Sequence, residues 1–254
     1  MKRYRIPVQK SQQNVDKTSE FLNSSVKASQ TLLAQFWRSV NSFGFPLITL
    51  VTSSGLIAAF LTVEKNPCPA LSYNIVKAGW KSCLIYAHFS HFDEWHLWYN
   101  IISFVWKGIY IESQFGSLKF LLAILLFIPS VGLTFVTLSY LLARITMDDH
   151  FLISKLVGFS GVIMALKVLS TEYWHAEPYH SLLGIPLITK YLVWIELVFL
   201  PLLVPNLSLI CHSSGIIVGL LYTLGFLRIV VDIACALIYF LTPGLQWRKE
   251  ELSK

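Results

Sequence analysis

Residues 118–142 read LKFLLAILLFIPSVGLTFVTLSYLL, an apolar run carrying a single charge, Lys119. A helix needs about 20 such residues to cross the hydrocarbon of a bilayer. The backbone must satisfy its own hydrogen bonds there, which makes the helix the expected form. The pattern returns on both sides of this run. Spans are expected at 45–63, 92–113, 118–142, 156–170, 186–204 and 209–227. The second and fourth look short and polar, as suits helices that line a cavity inside a bundle. A further apolar stretch, 229–243, follows Arg228 and contains Asp232. Its length, about 15 residues, suits an interfacial helix, with a short seventh span as the other reading. The sequence thus predicts an all-α membrane protein. Residues 1–44 form a basic polar tail, 45–228 a core of six transmembrane helices, and 229–254 an interfacial segment with a short tail.

Composition agrees with a chain that passes through the membrane several times. The 254 residues are 55% hydrophobic and 13% charged, against about 25% charged in soluble domains. Mean hydropathy is +0.60. An ordinary soluble domain is excluded. The net charge of +6 is concentrated at the start of the chain. There Lys2, Arg3, Arg5, Lys10, Lys17, Lys27 and Arg38 face Asp16 and Glu20. The loops on the opposite side are balanced, so the positive-inside rule puts both termini in the cytoplasm. The basic tail reads as topology and attraction to membrane lipid headgroups, not as a nucleic-acid surface. Residues 1–44 lack an early apolar run, so no cleavable leader is expected. A presequence for another organelle is the competing reading, and Asp16 and Glu20 weigh against it.

Cys68 and Cys83 share the first loop, where a disulfide and two free thiols are both open. Cys211 and Cys235 lie in apolar surroundings and read as packing. The sequon at Asn23 is on the cytoplasmic side, and that at Asn206 hugs the membrane.

Three polar groups stand at the starts of the second, fourth and sixth apolar segments: His96 with Asn100, Ser160, and His212. If each segment crosses the bilayer, every even-numbered span begins on the same side. These side chains then share one depth near one face. Ser160 sits in Gly158-Phe159-Ser160-Gly161 and opens its span, where backbone N–H groups are unpaired and suited to an oxyanion. Gly158 permits the unusual backbone angles that present them. His212, Gly215 and Gly219 share one helical face at about 100° per residue. Two glycines four apart admit a close neighbour, and Gly161 with Ala165 offers a matching face. Nesting of these faces would bring the His212 imidazole to the Ser160 hydroxyl. His96 and Asn100, spaced i, i+4, share a face and can donate to an oxyanion. Polar groups inside an apolar segment are functional candidates. Generic small-residue helix contact is the plainer reading of the glycines, but it does not explain a histidine in register with them. No carboxylate stands out as a third member, so a Ser160–His212 dyad is expected.

The ordered set resembles the rhomboid intramembrane serine protease family. Its pattern is carried by Trp80-Lys81, His96 with Asn100, Glu112 with Gly116, Gly158 to Gly161, and His212 with Gly215 and Gly219. The run from His88 to Phe120 is most similar to the endoplasmic-reticulum subgroup. The resemblance implies Ser160 as nucleophile and His212 as general base. It implies His96, Asn100 and the Ser160 backbone N–H as the oxyanion site, and a structural role for His91. It also implies transmembrane protein substrates, an endoplasmic-reticulum membrane, and a gate at the fifth span. Four positions depart from the usual pattern. Lys81 replaces an arginine, Gln114 another arginine, Met164 an aromatic that packs on the histidine, and Cys211 a small residue.

His88, His91 and His96 do not form the H-E-x-x-H of zinc proteases, and neither metal nor cofactor is expected. Lys167 and Glu196 are candidates for a buried ion pair, with Lys167 snorkelling to the headgroups as the alternative. A relative that has kept the fold but binds membrane proteins without cutting them is the second function considered. A transporter is disfavoured because inverted repeats are missing.

Overall fold

The computed structural model describes residues 45–62, 68–173, 179–182, 185–188, 194 and 208–241. Helix α1 (Leu47–Leu61) leads into a first loop that holds two short helices, α2 (Tyr73–Lys77) and α3 (Cys83–Tyr86), and a 3-10 turn at Ala87–Phe89. Then come α4 (Glu94–Phe115), α5 (Ser117–Thr146) and the short α6 (His150–Ile153). Helix α7 (Ser160–Tyr173) is followed by a two-stranded antiparallel hairpin, β1 (Tyr179–Leu182) and β2 (Ile185–Ile188), and by α8 (Leu209–Thr223) and α9 (Phe226–Leu241).

Helix α5 is the described helix long and apolar enough to cross a membrane by itself. Its 30 residues reach about 45 Å at 1.5 Å per residue, more than the hydrocarbon thickness. Helices α8 and α9 pass the same test only as a pair, bent by 63°. Helices α1 and α7 are apolar but short. Exposed apolar side chains such as Val51, Leu125, Leu133, Ile233 and Leu237 suit a lipid surrounding. Buried phenylalanines from α4, α5 and the turn before α7 form the core, among them Phe104, Phe120, Phe127 and Phe159. Tyr222 of α8 joins them, edge-on to Phe127 at 5.4 Å between centroids.

Three expected boundaries change. The span drawn at 209–227 breaks at Gly225, whose φ of +102° is readily reached only without a Cβ, and the chain turns into α9. The stretch drawn from 156 begins as extended backbone. Leu156 pairs with Leu71 in an isolated antiparallel bridge, and the helix starts at Ser160. The span drawn from 186 opens inside β2, with Pro186 opposite Ser181. Proline cannot donate to a helix interior, whereas it is accepted in a hairpin edge. Of 189–204, only Trp194 is among the described residues, so Glu196, the rest of that span and its gate lie outside them. The tail 1–44, the sequons and residues 242–254 do too.

Glu112 ties the start of α1 to the turn between α4 and α5. Its buried carboxylate accepts from the Ile48 N–H (2.9 Å), the Thr49 N–H (2.9 Å), the Thr49 hydroxyl (2.8 Å) and the Ser117 hydroxyl (2.6 Å). A carboxylate at a helix N-terminus also meets the favourable end of the helix dipole. Cys68 and Cys83 are joined in a disulfide with Cα atoms 5.1 Å apart, so the free-thiol reading falls. Asp232 of α9 pairs with Lys119 of α5. Lys167 is 6% exposed, with its ammonium 5.9 Å from the centre of the Tyr99 ring.

Candidate functional site

The turn that delivers Ser160 is held by backbone and by packing. Leu156 and Leu71 exchange two N–H to carbonyl bonds, of 2.8 and 2.9 Å. The Gly158 N–H donates to the Ala87 carbonyl at 3.0 Å. Phe159 is fully buried between Phe104, 5.3 Å away and edge-on, and Phe89 at 6.1 Å. With φ at +98°, Gly158 redirects the chain so that the next residues begin α7. The first N–H groups of a helix have no partner within it, and that of Ser160 is among them. The Ser160 side chain is 8% exposed.

Helix α8 is pressed onto α7 through small residues. A Cβ on Gly215 would collide with the Gly161 carbonyl group and come within 2.9 Å of Met164 Cβ. A Cβ on Gly219 would lie 2.8 Å from the Ala165 oxygen and 2.7 Å from Val168 Cβ. A Cβ on Gly161 would lie 2.7 Å from Val131 Cγ1 and 3.1 Å from Cys211 Sγ. The two small-residue faces therefore meet, main chain against main chain. Met164, Val168 and Ile216 pack together alongside.

This nesting places Cys211 nearer the serine than spacing suggested. Ser160 Oγ lies 3.9 Å from Cys211 Sγ, within range of a weak sulfur hydrogen bond. His212, the next residue, is 1% exposed, and its Nδ1 is buried without a partner. Among the described residues no hydrogen bond joins Ser160 to His212. The neighbouring turns of α7 and α8 carry both side chains, but the structure does not close the pair.

Helix α4 supplies the other side. Asp93 caps it, its side chain accepting from the His96 N–H at 2.7 Å. The His96 ring stacks on Phe92 (5.8 Å) and meets His91 edge-on (5.1 Å). It lies directly against Gly158: a Cβ there would be 2.7 Å from His96 Cε1 and 2.9 Å from Nε2. Asn100 is fully buried one turn on. Its Nδ2 donates to the His96 carbonyl at 2.8 Å, while Oδ1 is buried without a partner. His91 is buried beside Gly158, 3.6 Å from where its Cβ would be. His96 and the serine turn thus share a wall, with Asn100 behind.

Two neighbours lie closer to the site than their sequence readings place them: His88, considered there only beside His91 and His96 as a metal set, and Cys211, read there as packing and as the replacement for a small residue. His88 is fully buried, next to the carbonyls of Ile128 and Gly158 but without a well-formed hydrogen bond on either nitrogen. Its spacing from His91 was its only signal. Burial pushes the His88 imidazole down to about 4. Burial, then the nearby His96, push that of His91 down to about 4 as well. Both rings are neutral near pH 7. Cys211 is marked in the sequence as a departure from a small residue, but its contact with the Ser160 hydroxyl is not. Among the described residues no cluster of three His, Cys, Asp or Glu side chains is arranged to hold a metal ion.

A serine at a helix N-terminus, a histidine on the helix nested against it, and an imidazole and an amide side chain across a glycine turn fit a fold of rhomboid type. The Rhomboid domain family matches residues 78–229, and the chain belongs to that family. Rhomboid-related protein 4 of Homo sapiens is 35% identical over 208 residues, covering 81% of this chain and 65% of that protein. The Mus musculus protein of the same name is 32% identical over 216 residues, covering 84% of this chain and 67% of that protein. Rhomboid-like protein 14, mitochondrial, of Arabidopsis thaliana is 39% identical over 140 residues, covering 55% of this chain and 41% of that protein. The chain thus spans about two thirds of the length of the first two relatives. No solved structure matches it.

Proposed function

We propose that this chain is an intramembrane serine endopeptidase that cleaves peptide bonds in or beside the transmembrane segments of other membrane proteins. The observation that carries this reading is the join of three elements at the Gly158 turn. Ser160 begins α7, His96 of α4 lies against Gly158, and the glycine faces hold the His212 helix against α7. In this mechanism His212 takes the Ser160 proton as the hydroxyl attacks the carbonyl. It then returns that proton to the leaving amine, and a water repeats the sequence to release the acyl group. His96, Asn100 and the Ser160 N–H hold the tetrahedral oxyanion. The substrate helix must unwind locally, so segments with Gly, Pro or polar residues near the bond are preferred. Catalytic hydrogen bonds are often long before substrate is engaged, which reconciles the open Ser160–His212 pair with activity.

That open pair, and the contact of Ser160 with Cys211, favour a second reading. In it the chain binds membrane proteins without cutting them. The placement follows the sequence: multi-pass, both termini cytoplasmic, in the endoplasmic reticulum, with substrates and membrane lipids as partners and neither metal nor cofactor. The name of the Arabidopsis relative makes mitochondria the alternative compartment to check. The deciding experiment reconstitutes the full chain in proteoliposomes with a panel of reporter transmembrane segments. A fluorophosphonate probe should label wild type and not Ser160→Ala, and cleavage should vanish in the same variant. Binding of the reporters with neither labelling nor cleavage would establish the second reading.

A further inference from the structure

The segment that feeds Ser160 is held by three backbone hydrogen bonds, and all three come from one loop. Leu71 supplies two of them to Leu156, and Ala87 supplies the third to Gly158. Leu71, Ala87 and Leu156 are fully buried. The Cys68–Cys83 disulfide ties together the two arms that carry these contacts. Cys68 stands just ahead of Leu71, and Cys83 just ahead of Ala87. The Cys83 arm is seated on α5, since a Cβ on Gly132 would lie 2.7 Å from the Leu84 carbonyl oxygen. The Leu71 arm has its own contact with α5, Tyr73 stacked on Tyr140 at 5.2 Å, and the cross-link adds a covalent tie between the two arms. Both cysteines also line a cavity of about 330 Å³, with Pro69, Ala70, Ile75, Trp80 and Lys155. Cys68 and Cys83 are each 1% exposed, and this cavity is the approach a small dithiol would take to the bond.

We propose that Cys68 and Cys83 are positioning residues for Ser160, and that their disulfide fixes the loop that sets the serine turn. The inference rests on the reading of Ser160 as nucleophile. Reduction is a two-electron exchange. A thiolate of an added dithiol attacks one cystine sulfur, and the mixed disulfide breaks as the second thiol closes the reagent into its own disulfide. Cys68 and Cys83 end as thiols, carrying the two protons the reagent gave up. The Leu71 arm then keeps its stack of Tyr73 on Tyr140 of α5 and the Trp80 N–H to Ile75 carbonyl bond, but loses its covalent link to the Cys83 arm. A misplacement of about 1 Å can cost a hundredfold in rate, so turnover falls while substrate binding is kept.

The test uses the full chain, made in an oxidising compartment and reconstituted. Mass spectrometry after alkylation should show Cys68 and Cys83 bonded; two alkylated thiols in the untreated protein would overturn the proposal. A small dithiol should lower kcat by about 10- to 100-fold with KM nearly unchanged, and reoxidation of the same sample should restore it. The double variant Cys68→Ala/Cys83→Ala should have the low kcat and ignore the dithiol. Hydrogen exchange should quicken at the Leu71, Leu156 and Gly158 amides and stay slow in α5. Full reduction with unchanged kcat and unchanged exchange at these amides overturns it. So does reduction that strips protection from α5 as well, because the bond is then a general stabiliser. If the oxidised wild type never reacts with fluorophosphonate, the protease reading has failed instead, and the exchange at the three amides still decides whether the bond holds the turn.

Discussion

Gly215 of α8 lies so close to Gly161 of α7 that a methyl group on the first would occupy the space of the second's carbonyl. Here the obstacle is main chain, which cannot rotate away as a side chain can. Gly215→Ala should therefore destabilise the protein by about 1–3 kcal/mol, the usual cost of overpacking. It should also reduce labelling of Ser160 by separating the two helices. Gly55 in α1 has no atom within 4 Å of its would-be Cβ, so Gly55→Ala should be neutral or stabilising by up to about 1 kcal/mol. Unfolding of both variants in mild detergent, read beside fluorophosphonate labelling, checks the contrast. Equal stability of the two would show that the helices are free to move apart.

Gly158 is constrained twice, by a φ of +98° and by the His96 ring where a Cβ would stand. Gly158→Ala should displace both the serine turn and His96. We expect kcat to drop by about 100-fold or more, on the scale of losing an oxyanion donor. Gly79 also has a positive φ, +100°, but nothing lies within 4 Å of its would-be Cβ. Gly79→Ala should therefore incur backbone strain alone and keep most activity. Comparable kcat in the two variants would mean that the contact of Gly158 with His96 has no part in turnover.

The parts of this fold that depend on periodicity were legible in the sequence. The small residues Gly161, Ala165, Gly215 and Gly219 recur at helical spacing, and their faces do meet. The apolar run that became α5 was found from composition alone. Periodicity does not carry the rest. Residues 186–188 read as part of an apolar helix, yet they pair with 179–181 in a hairpin, because a short apolar run is compatible with either form. The bend at Gly225 was hidden inside a continuous apolar segment. In the site, spacing put Ser160 and His212 on facing helices. It could not decide that Cys211 would make the contact with the hydroxyl, since that depends on side-chain rotation about helices already packed. Burial of His88 depends on the first loop folding back under Gly158, a long-range contact with no local signal.

Glu112 receives four hydrogen bonds, two of them from backbone N–H groups of α1. Glu112→Gln keeps the shape but replaces one acceptor oxygen by an amide that can only donate. It would then point N–H at N–H or at a hydroxyl. Hydrogen bonds to a charged group contribute about 1.5–3 kcal/mol each, and an unmet buried donor adds its own cost. We expect a loss of about 3 kcal/mol in unfolding free energy. Hydrogen exchange at Ile48 and Thr49 should rise first. A variant as stable as wild type would mean that water or another group replaces the carboxylate.

Asn100 has two possible roles that one measurement separates. Its Nδ2 donates to the His96 carbonyl, a neutral bond within α4 worth about 1 kcal/mol. If that is its whole role, Asn100→Ala lowers stability by that amount and leaves kcat unchanged. The oxyanion role predicts a loss of about 100- to 1,000-fold in kcat with a smaller change in KM. We expect the second result. The kinetics need to be measured on a preparation whose unfolding midpoint has been matched to wild type by lowering the temperature.

His88 and His91 make stability depend on pH in a window set by their burial. Each folded imidazole is held down to about 4 from an ordinary 6.5. Above pH 6.5 both states are neutral and stability is at its full value. Below it the unfolded chain takes up protons that the folded chain refuses, so stability falls as pH drops from 6.5 toward 4. The limiting slope is about 1.4 kcal/mol per pH unit for each histidine. Measured between pH 6.5 and 5, above the range of ordinary carboxylates, the unfolding free energy should decline as the unfolding chain takes up protons on these and the other buried imidazoles. His91→Gln removes one of these groups and should make the slope shallower, even if it lowers stability at neutral pH. A flat profile in wild type would mean that these rings meet water or acquire a carbonyl partner strong enough to hold their protons.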